Sequence, residues 1–168
     1  MKLLLLRHAI AEERSAAAAP GKADLLRPLT EEGVRKMRHA AAGLARQLPE
    51  LALIVTSPAV RCRATADLLA ERYSRKPVLS ELADLAPDGA SAGVLEFLQA
   101  QRALPAVACV GHEPNLSQLA ALLLAGKERS FLELRKGGAC LLEFAGRVAP
   151  GAALLLWHLA PGQLRALR

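Results

Sequence analysis

Short apolar runs separated by turn-forming and polar residues dominate the chain and predict the strands of a buried sheet. The first run, Leu3-Leu4-Leu5-Leu6, lies between Lys2 and Arg7. Continuous apolar runs of this length are typical of strands that are covered on both faces. The same reasoning predicts strands over residues 2–6, 51–56, 77–82, 107–110, 139–144 and 154–159.

The segments between these runs carry the signals of helices. Thr30 is predicted to be an N-cap, because two acidic residues follow it in the next turn. Apolar residues then recur at helical spacing until Pro49. Ser57-Pro58 is expected to open a second helix, with the proline in the first turn, that runs to about Tyr73. Further helices are predicted over residues 91–101 and from about 114 to 125, whereas residues 11–27 have no clear period and are expected to form a mobile loop with at most one short helical piece.

Strands that alternate with helices predict the fold class. A chain of 168 residues is expected to form one domain, residues 1–168, with a core large enough to need no disulfides. The alternation favours an α/β fold in which a mostly parallel central sheet is flanked by helices in a three-layer sandwich. In such sheets ligands bind beyond the carboxyl ends of the strands.

Composition narrows the classes of partner. The formal net charge of +6 favours anionic ligands, but the basic residues are scattered and aromatic residues make up only 3% of the chain, which argues against nucleic-acid binding. Three widely spaced cysteines without a CxxC pair suit a reducing compartment. Because no apolar run is long enough for a signal peptide or a membrane span, we expect a cytoplasmic protein without membrane partners. We further expect a monomer that does not bind nucleic acid.

Three motifs with chemically active side chains follow three of the predicted strands. They are Arg7-His8-Ala9, Ser57-Pro58-Ala59-Val60-Arg61 and Gly111-His112-Glu113-Pro114-Asn115. Guanidinium groups are planar donors suited to phosphate, and histidine can act as a nucleophile or proton carrier near neutral pH. If the strands are parallel neighbours, two arginines and two histidines converge into a phosphate cradle. Taken singly, each histidine could instead serve only to satisfy local backbone groups.

The order and spacing of these motifs resemble the histidine phosphatase superfamily, whose signature is Arg-His-Gly, and within it the small bacterial SixA-type phosphohistidine phosphatases. The resemblance covers nearly the whole chain. It rests on Arg7-His8-Ala9, Arg27-Pro28-Leu29-Thr30-Glu31-Glu32-Gly33, Ser57-Pro58 with Arg61, Thr65-Ala66, Leu85-Ala86-Pro87, Gly111-His112-Glu113-Pro114, and Trp157 with Pro161. The signature ends here in Ala9 rather than glycine, which costs little if the backbone torsion at that position is ordinary.

The resemblance implies a phosphoglycerate-mutase-like fold and a covalent mechanism without metal or other cofactor. His8 would attack phosphorus, Arg7, Arg61 and His112 would hold the non-bridging oxygens, and water would release phosphate. The nearby guanidinium charges are expected to disfavour a protonated imidazole. A backbone carbonyl is expected to accept a hydrogen bond from the second ring nitrogen of His8 and so fix its tautomer.

The resemblance offers two candidates for the general acid and one for the mouth of the site. Counting back from Leu85-Ala86-Pro87, Asp84 takes the acidic position of the family, and Glu81 is the alternative. Arg27 is assigned to substrate binding at the mouth, although it could instead pair with Asp24 or Glu31. Imidazole leaves readily once it is protonated, so a site with a weak acid would favour phosphohistidine over phosphoserine.

Three functions therefore remain to be separated. The leading one is hydrolysis of phosphohistidine in a signalling or phosphotransfer protein, such as a histidine phosphotransfer domain or a phosphocarrier. The second is a phosphatase of the same superfamily that acts on small phosphomonoesters. The third is a module that binds phosphoprotein without turnover, against which the complete set of two arginines and two histidines argues.

Overall fold

A computed structural model describes residues 1–13 and 22–168, and a six-stranded sheet lies at its centre. The strands are β1 (Lys2–Arg7), β2 (Leu53–Thr56), β3 (Val78–Glu81), β4 (Ala106–Gly111), β5 (Ala139–Glu143) and β6 (Leu154–Leu159). The helices are α1 (Lys22–Leu25), α2 (Glu31–Gln47), α3 (Val60–Ala70), α4 (Ser91–Ala100), α5 (Asn115–Ala125) and α6 (Pro161–Ala166), with a 3₁₀ turn at Ala83–Leu85.

The sheet is mostly parallel, as the alternation of elements predicts. Its strand order is β3-β2-β4-β1-β5-β6. The first four strands in this order pair in parallel, and only β5 runs antiparallel to its neighbours β1 and β6. The α/β fold class with helices flanking a mostly parallel sheet is thus confirmed.

The central strand β1 is apolar throughout because both of its faces are covered. Leu4 and Leu6 belong to a core shared with α2, α3 and α6, and Leu3 and Leu5 belong to a second core shared with α4 and α5. All four leucines are completely buried. The two cores make the three layers of the fold and hold β1 in a fixed position at the middle of the sheet.

The predicted N-termini of α2 and α3 can be compared with the observed ones. The Thr30 hydroxyl accepts a hydrogen bond from the Gly33 amide at 3.0 Å, which confirms the predicted N-cap of α2. The prediction that Ser57-Pro58 opens α3 is wrong by two residues, since the helix begins at Val60 after the N-cap Ala59. The Ser57 amide still donates to the carbonyl of Val110 at 2.9 Å, so that this residue continues the pairing of β2 with β4 rather than starting a helix.

The described part of the predicted loop over residues 11–27 contains one short helix, α1, as the prediction allows. Ala11 also forms an isolated antiparallel bridge with Leu29, which the sequence did not predict. The part of the predicted loop between residues 14 and 21 lies outside the described residues. Across residues 1–13 and 22–168, no helix combines the length and the apolar character needed to cross a bilayer.

Close backbone contact between α2 and the segment after β1 requires a glycine at position 33. A methyl group built there would overlap the carbonyl oxygen of Ile10, which also accepts a hydrogen bond from the Thr30 amide at 3.0 Å. Gly33 therefore lets α2 lie directly against the chain that leaves the Arg7-His8 pair.

We expect Gly33→Ala to lower the free energy of unfolding by about 3 kcal/mol, because the added methyl must displace backbone rather than a flexible side chain. Gly146→Ala is the matched control, since a methyl group there meets no atom within 4 Å. Urea denaturation of both variants measures the difference. Equal stability of the two variants would contradict the tight packing of α2 on Ile10.

Candidate active site

Three neighbouring strands deliver the three motifs to one edge of the sheet. Arg7 at the end of β1 is in register with Gly111 at the end of β4, and Thr56 at the end of β2 is in register with Val110. The His8 amide then donates to the Gly111 carbonyl at 3.0 Å. The carboxyl ends of parallel strands therefore bring the three motifs together, as the sequence predicts.

The two histidines of these motifs face each other in a buried pocket. The ring centroids of His8 and His112 are 5.2 Å apart, with the rings inclined at 60°. His8 is 6% exposed and His112 is 3% exposed. Two imidazoles so close together and so little hydrated are unfavourable places for positive charge.

The tautomer of His8 follows from its contact with the backbone. Its Nδ1 lies 2.8 Å from the carbonyl oxygen of Ala9, and because a carbonyl only accepts, Nδ1 must donate in this hydrogen bond. The lone pair of the neutral ring then resides on Nε2. The expected backbone carbonyl is thus that of Ala9, and it leaves Nε2 as the nitrogen that is able to attack.

The turn after His8 is held by a side chain from α3. The Ala9 amide donates to Thr65 Oγ1 at 3.0 Å, and the Thr65 hydroxyl donates to the carbonyl of Arg61 at 2.7 Å. No described residue other than glycine has a positive φ, so Ala9 adopts an ordinary torsion and its replacement of the signature glycine introduces no strain.

Arg7 is oriented by a chain of contacts that begins at Glu113. The two carboxylate oxygens of Glu113 accept from the Leu134 amide at 3.1 Å and from the Ser117 hydroxyl at 2.6 Å. The Leu134 carbonyl in turn accepts from Arg7 Nη1 at 2.7 Å. The Nε–H of Arg7 is buried and has no acceptor among the described residues.

Arg61, 2% exposed, is held between a carboxylate and a histidine. Its Nη1 donates to the Asp24 carbonyl at 2.5 Å, and its Nη2 contacts the Asp24 carboxylate at 2.9 Å and His112 Nδ1 at 3.3 Å. Because Arg61 can only donate, Nδ1 of His112 accepts, and Nε2 carries the proton toward Ser57 Oγ at 2.9 Å. The buried Nε–H of Arg61, like that of Arg7, lacks an acceptor within the described part of the chain.

Burial is the main reason that both rings are neutral. It lowers the pKa of His8 from 6.5 to about 3, while the hydrogen bond to the Ala9 carbonyl opposes this shift. Electrostatic coupling to His112 and the charges of Arg61 and Arg7 act in the same direction as burial. Burial, followed by the charge of Arg61, lowers the pKa of His112 to about 4, although Asp24 opposes the shift. The expectation of uncharged imidazoles is right in direction, but desolvation outweighs the guanidinium charges on which it was based.

The two candidate acids differ in their surroundings. Asp84 lies in the 3₁₀ turn and lines a small cavity together with His112 and Asn115. A methyl group at Gly93 would overlap the Asp84 carboxylate, which therefore packs against the first turn of α4. Glu81 is instead half exposed and pairs with Arg63 at 2.9 Å.

Three side chains on the rim of the site have partners that sequence reasoning left open or missed. Arg27 pairs with the Asp24 carboxylate at 2.9 Å, which was one of its two expected roles, and its Nη1 donates to the Glu12 carbonyl. Arg63, which is partly exposed, pairs with Glu81 at 2.9 Å and with Asp67 at 3.4 Å.

The third side chain is that of Asn115, the first residue of α5. It donates to the carbonyls of Gly89 at 2.9 Å and Ala86 at 3.4 Å, which are distant in sequence, and so ties α5 to the turn after Asp84.

The remaining reactive groups near the site do not form a metal centre. In residues 1–13 and 22–168, no three side chains of histidine, cysteine, aspartate or glutamate are grouped so that they could hold a metal ion. Cys62 Sγ lies 3.4 Å from His112 Nε2, and burial raises the pKa of this thiol to about 12. Cys62 therefore remains a protonated packing residue at neutral pH.

Comparisons with known proteins identify the family that the chain resembles in sequence. The family model "Histidine phosphatase superfamily (branch 1)" matches residues 3–85. An uncharacterised protein of Picosynechococcus is 33% identical over 140 residues, which cover 82% of each chain.

Solved structures with a similar fold cover almost the whole chain. The protein histidine phosphatase SixA complexed with tungstate has a TM-score of 0.82 at 23% identity, covering 98% of this chain and 99% of its own. The putative phosphohistidine phosphatase SixA from Agrobacterium tumefaciens has a TM-score of 0.73 at 27% identity, covering 96% and 98%.

The two lowered histidine pKa values predict a loss of stability in mild acid. An unfolded chain protonates each imidazole near pH 6.5, whereas the folded protein holds His8 and His112 neutral until about pH 3 and pH 4. Acidification from pH 7 to pH 5 therefore favours the unfolded state by about 2 kcal/mol for each of the two rings. Urea unfolding at both pH values should show this loss, and His8→Gln should reduce it by about half. A ring of His8 that titrates near pH 6.5 by NMR would contradict the argument.

Proposed function

The chain belongs to the histidine phosphatase superfamily and is a phosphatase, and from that premise we propose that its substrate is phosphohistidine in a signalling or phosphotransfer protein, such as a histidine phosphotransfer domain or a phosphocarrier. The relative of 27% identity that carries the name phosphohistidine phosphatase supports this substrate class. The positive net charge of +6 also suits a phosphorylated partner.

The observation that carries the proposal is the pair of buried guanidinium donors beside His8. Buried N–H groups in folded proteins are nearly always hydrogen-bonded, yet neither Arg7 Nε nor Arg61 Nε has an acceptor in the described ranges. A phosphoryl group offers several acceptor oxygens and two negative charges, which would satisfy both donors at once. The His8 Nε2 lone pair supplies a nucleophile in the same pocket.

In the proposed first step, His8 Nε2 forms a bond to phosphorus while the bond from phosphorus to the substrate imidazole breaks. Arg7, Arg61 and His112 hold the three non-bridging oxygens, where preorganised donors stabilise the transition state most strongly. The departing imidazole nitrogen receives a proton from Asp84. In the second step, water attacks phosphorus and gives a proton to the Asp84 carboxylate while the bond to His8 breaks. Inorganic phosphate then leaves, with His8 and Asp84 both restored.

The arrangement of His8 suits this role in two respects. Its lowered pKa of about 3 keeps Nε2 unprotonated at neutral pH, so that every molecule is competent to attack. The Ala9 carbonyl holds Nδ1–H, and this hydrogen bond would strengthen as the ring gains positive charge on phosphorylation.

The leaving group determines how strongly the reaction depends on a general acid. A phosphate monoester releases an alkoxide and depends strongly on proton donation, whereas an imidazole can be protonated before its bond to phosphorus breaks. Asp84 shares a small cavity with His112 and is the better-placed acid, since Glu81 is engaged by Arg63 on the surface. A site with one modest acid therefore favours phosphohistidine over phosphoserine and small phosphomonoesters.

We expect the wild-type protein to dephosphorylate a phosphorylated histidine phosphotransfer domain and to form an acid-labile phosphoenzyme, while His8→Ala loses both activities. The reason is that no other described group in the pocket replaces the Nε2 lone pair. Release of ³²P-phosphate in buffer containing EDTA measures turnover, and quenched-flow labelling measures the phosphoenzyme.

Parallel assays with sugar phosphates separate the proposal from the small-molecule alternative. Preference for a sugar phosphate would replace the proposed substrate class. Residual activity above about 5% in folded His8→Ala would remove the covalent role. Binding of phosphoprotein without any phosphoenzyme would favour a binding module.

We expect Asp84→Asn to reduce kcat for phenyl phosphate about 100-fold and kcat for the phosphohistidine protein by less than about tenfold, because only the ester strictly needs a proton donor. Glu81→Gln is the comparison variant and should leave both rates within about twofold. Steady-state kinetics on the two substrates measures these ratios. The reverse pattern would assign the acid to Glu81.

A further inference from the structure

Asp24 makes contacts that the proposed mechanism does not use. Its carboxylate bridges two arginines, meeting Arg61 Nη2 through one oxygen at 2.9 Å and Arg27 Nη2 through the other at 2.9 Å. Its backbone carbonyl also accepts from Arg61 Nη1 at 2.5 Å. A single residue of α1 therefore engages both terminal nitrogens of a guanidinium that is assigned to the phosphoryl group.

The exposure of the three side chains increases along this chain of contacts. The side chain of Arg61 is 3% exposed, that of Asp24 is 11% exposed and that of Arg27 is 22% exposed. We take the side of the site on which exposure rises, from Arg61 through Asp24 to Arg27, as the side on which part of the substrate lies.

A fixed negative charge in this position changes which leaving groups the site accepts. Without it, the forked ends of Arg27 and Arg61 would form a strong second anion site beside the phosphoryl cradle, since guanidinium groups bind carboxylates bidentately. With Asp24 in place, both forks are engaged and the local charge is reduced by one. The carboxylate also acts on the catalytic pocket itself, since its charge is felt at His112.

We propose that Asp24 is a specificity-determining residue that disfavours phosphoryl substrates whose leaving group bears a second negative charge and favours those with a neutral or cationic leaving group. This inference rests on the proposed phosphatase site and deepens it. An imidazole leaving group is neutral or, once protonated, positive, so the Asp24 carboxylate attracts it. Phosphorylated hydroxy acids carry a carboxylate close to the ester and are repelled.

A matched pair of aryl esters isolates this charge effect from the identity of the natural substrate. Phenyl phosphate and carboxyphenyl phosphate share one reaction and differ by a single carboxylate. We expect the wild-type protein to favour phenyl phosphate by about tenfold in kcat/KM, the size of a partly screened charge interaction over several ångströms. In Asp24→Asn this preference should fall to about twofold or less.

Two further variants make the result specific to Asp24. Asp67→Asn removes an equal charge from an exposed pair with Arg63 and should keep the wild-type preference. Asp24→Glu retains the charge and should retain most of the preference. Urea unfolding shows that each variant is folded.

The outcomes distinguish specificity from a structural role. Loss of activity toward both esters in Asp24→Asn, with the preference unchanged, would overturn the inference and make Asp24 only a support for Arg61. A wild-type protein without preference between the esters would overturn it as well. Failure to hydrolyse a phosphohistidine protein would count against the proposed function and leave the charge effect on the esters to be judged separately.

Discussion

The parallel pairing of β1 with β4 and of β4 with β2 is the constraint on which the rest of the site depends. It places the ends of three strands side by side, with Arg7 opposite Gly111 and Thr56 opposite Val110. The four leucines of β1 are completely buried, so packing on both faces fixes the position of the strand. A shift in register would expose leucine side chains to water. The reactive side chains are therefore positioned by the core and not by the loops that carry them.

Burial at this edge of the sheet also sets the chemistry. Desolvation holds both imidazoles neutral at the cost of stability in acid, and the same dry environment makes the unpartnered guanidinium donors effective toward an anion. Glu113 and Thr65 hold the backbone around these groups, one through Leu134 and the other through Ala9. The site therefore lowers the stability of the folded protein when no ligand is bound, and the same features favour binding of a phosphoryl group.

Sequence patterns predict the part of this arrangement that depends on local chemistry. The apolar runs predict every strand to within a few residues, and the motifs after β1, β2 and β4 predict which side chains meet. Contacts made across long separations escape such patterns. Asp24 is 37 residues from Arg61, and Asn115 is 26 residues from Gly89, and nothing in their own neighbourhoods marks these partners. The six-residue helix α6 was also missed, although Pro161 at its first position is a recognisable signal.

Asp24 and Asp84 differ in their surroundings, and this difference suits them to different roles in the site. Both are carboxylates near the histidine pair, yet Asp24 pairs with two guanidinium groups, whereas Asp84 packs against the start of α4 beside a small cavity. A carboxylate that pairs with two cations is a poor proton donor, because nearby positive charges favour its charged form. The placement of Asp24 between Arg61 and Arg27 therefore suits discrimination among substrates, and the placement of Asp84 suits proton donation to the group that leaves.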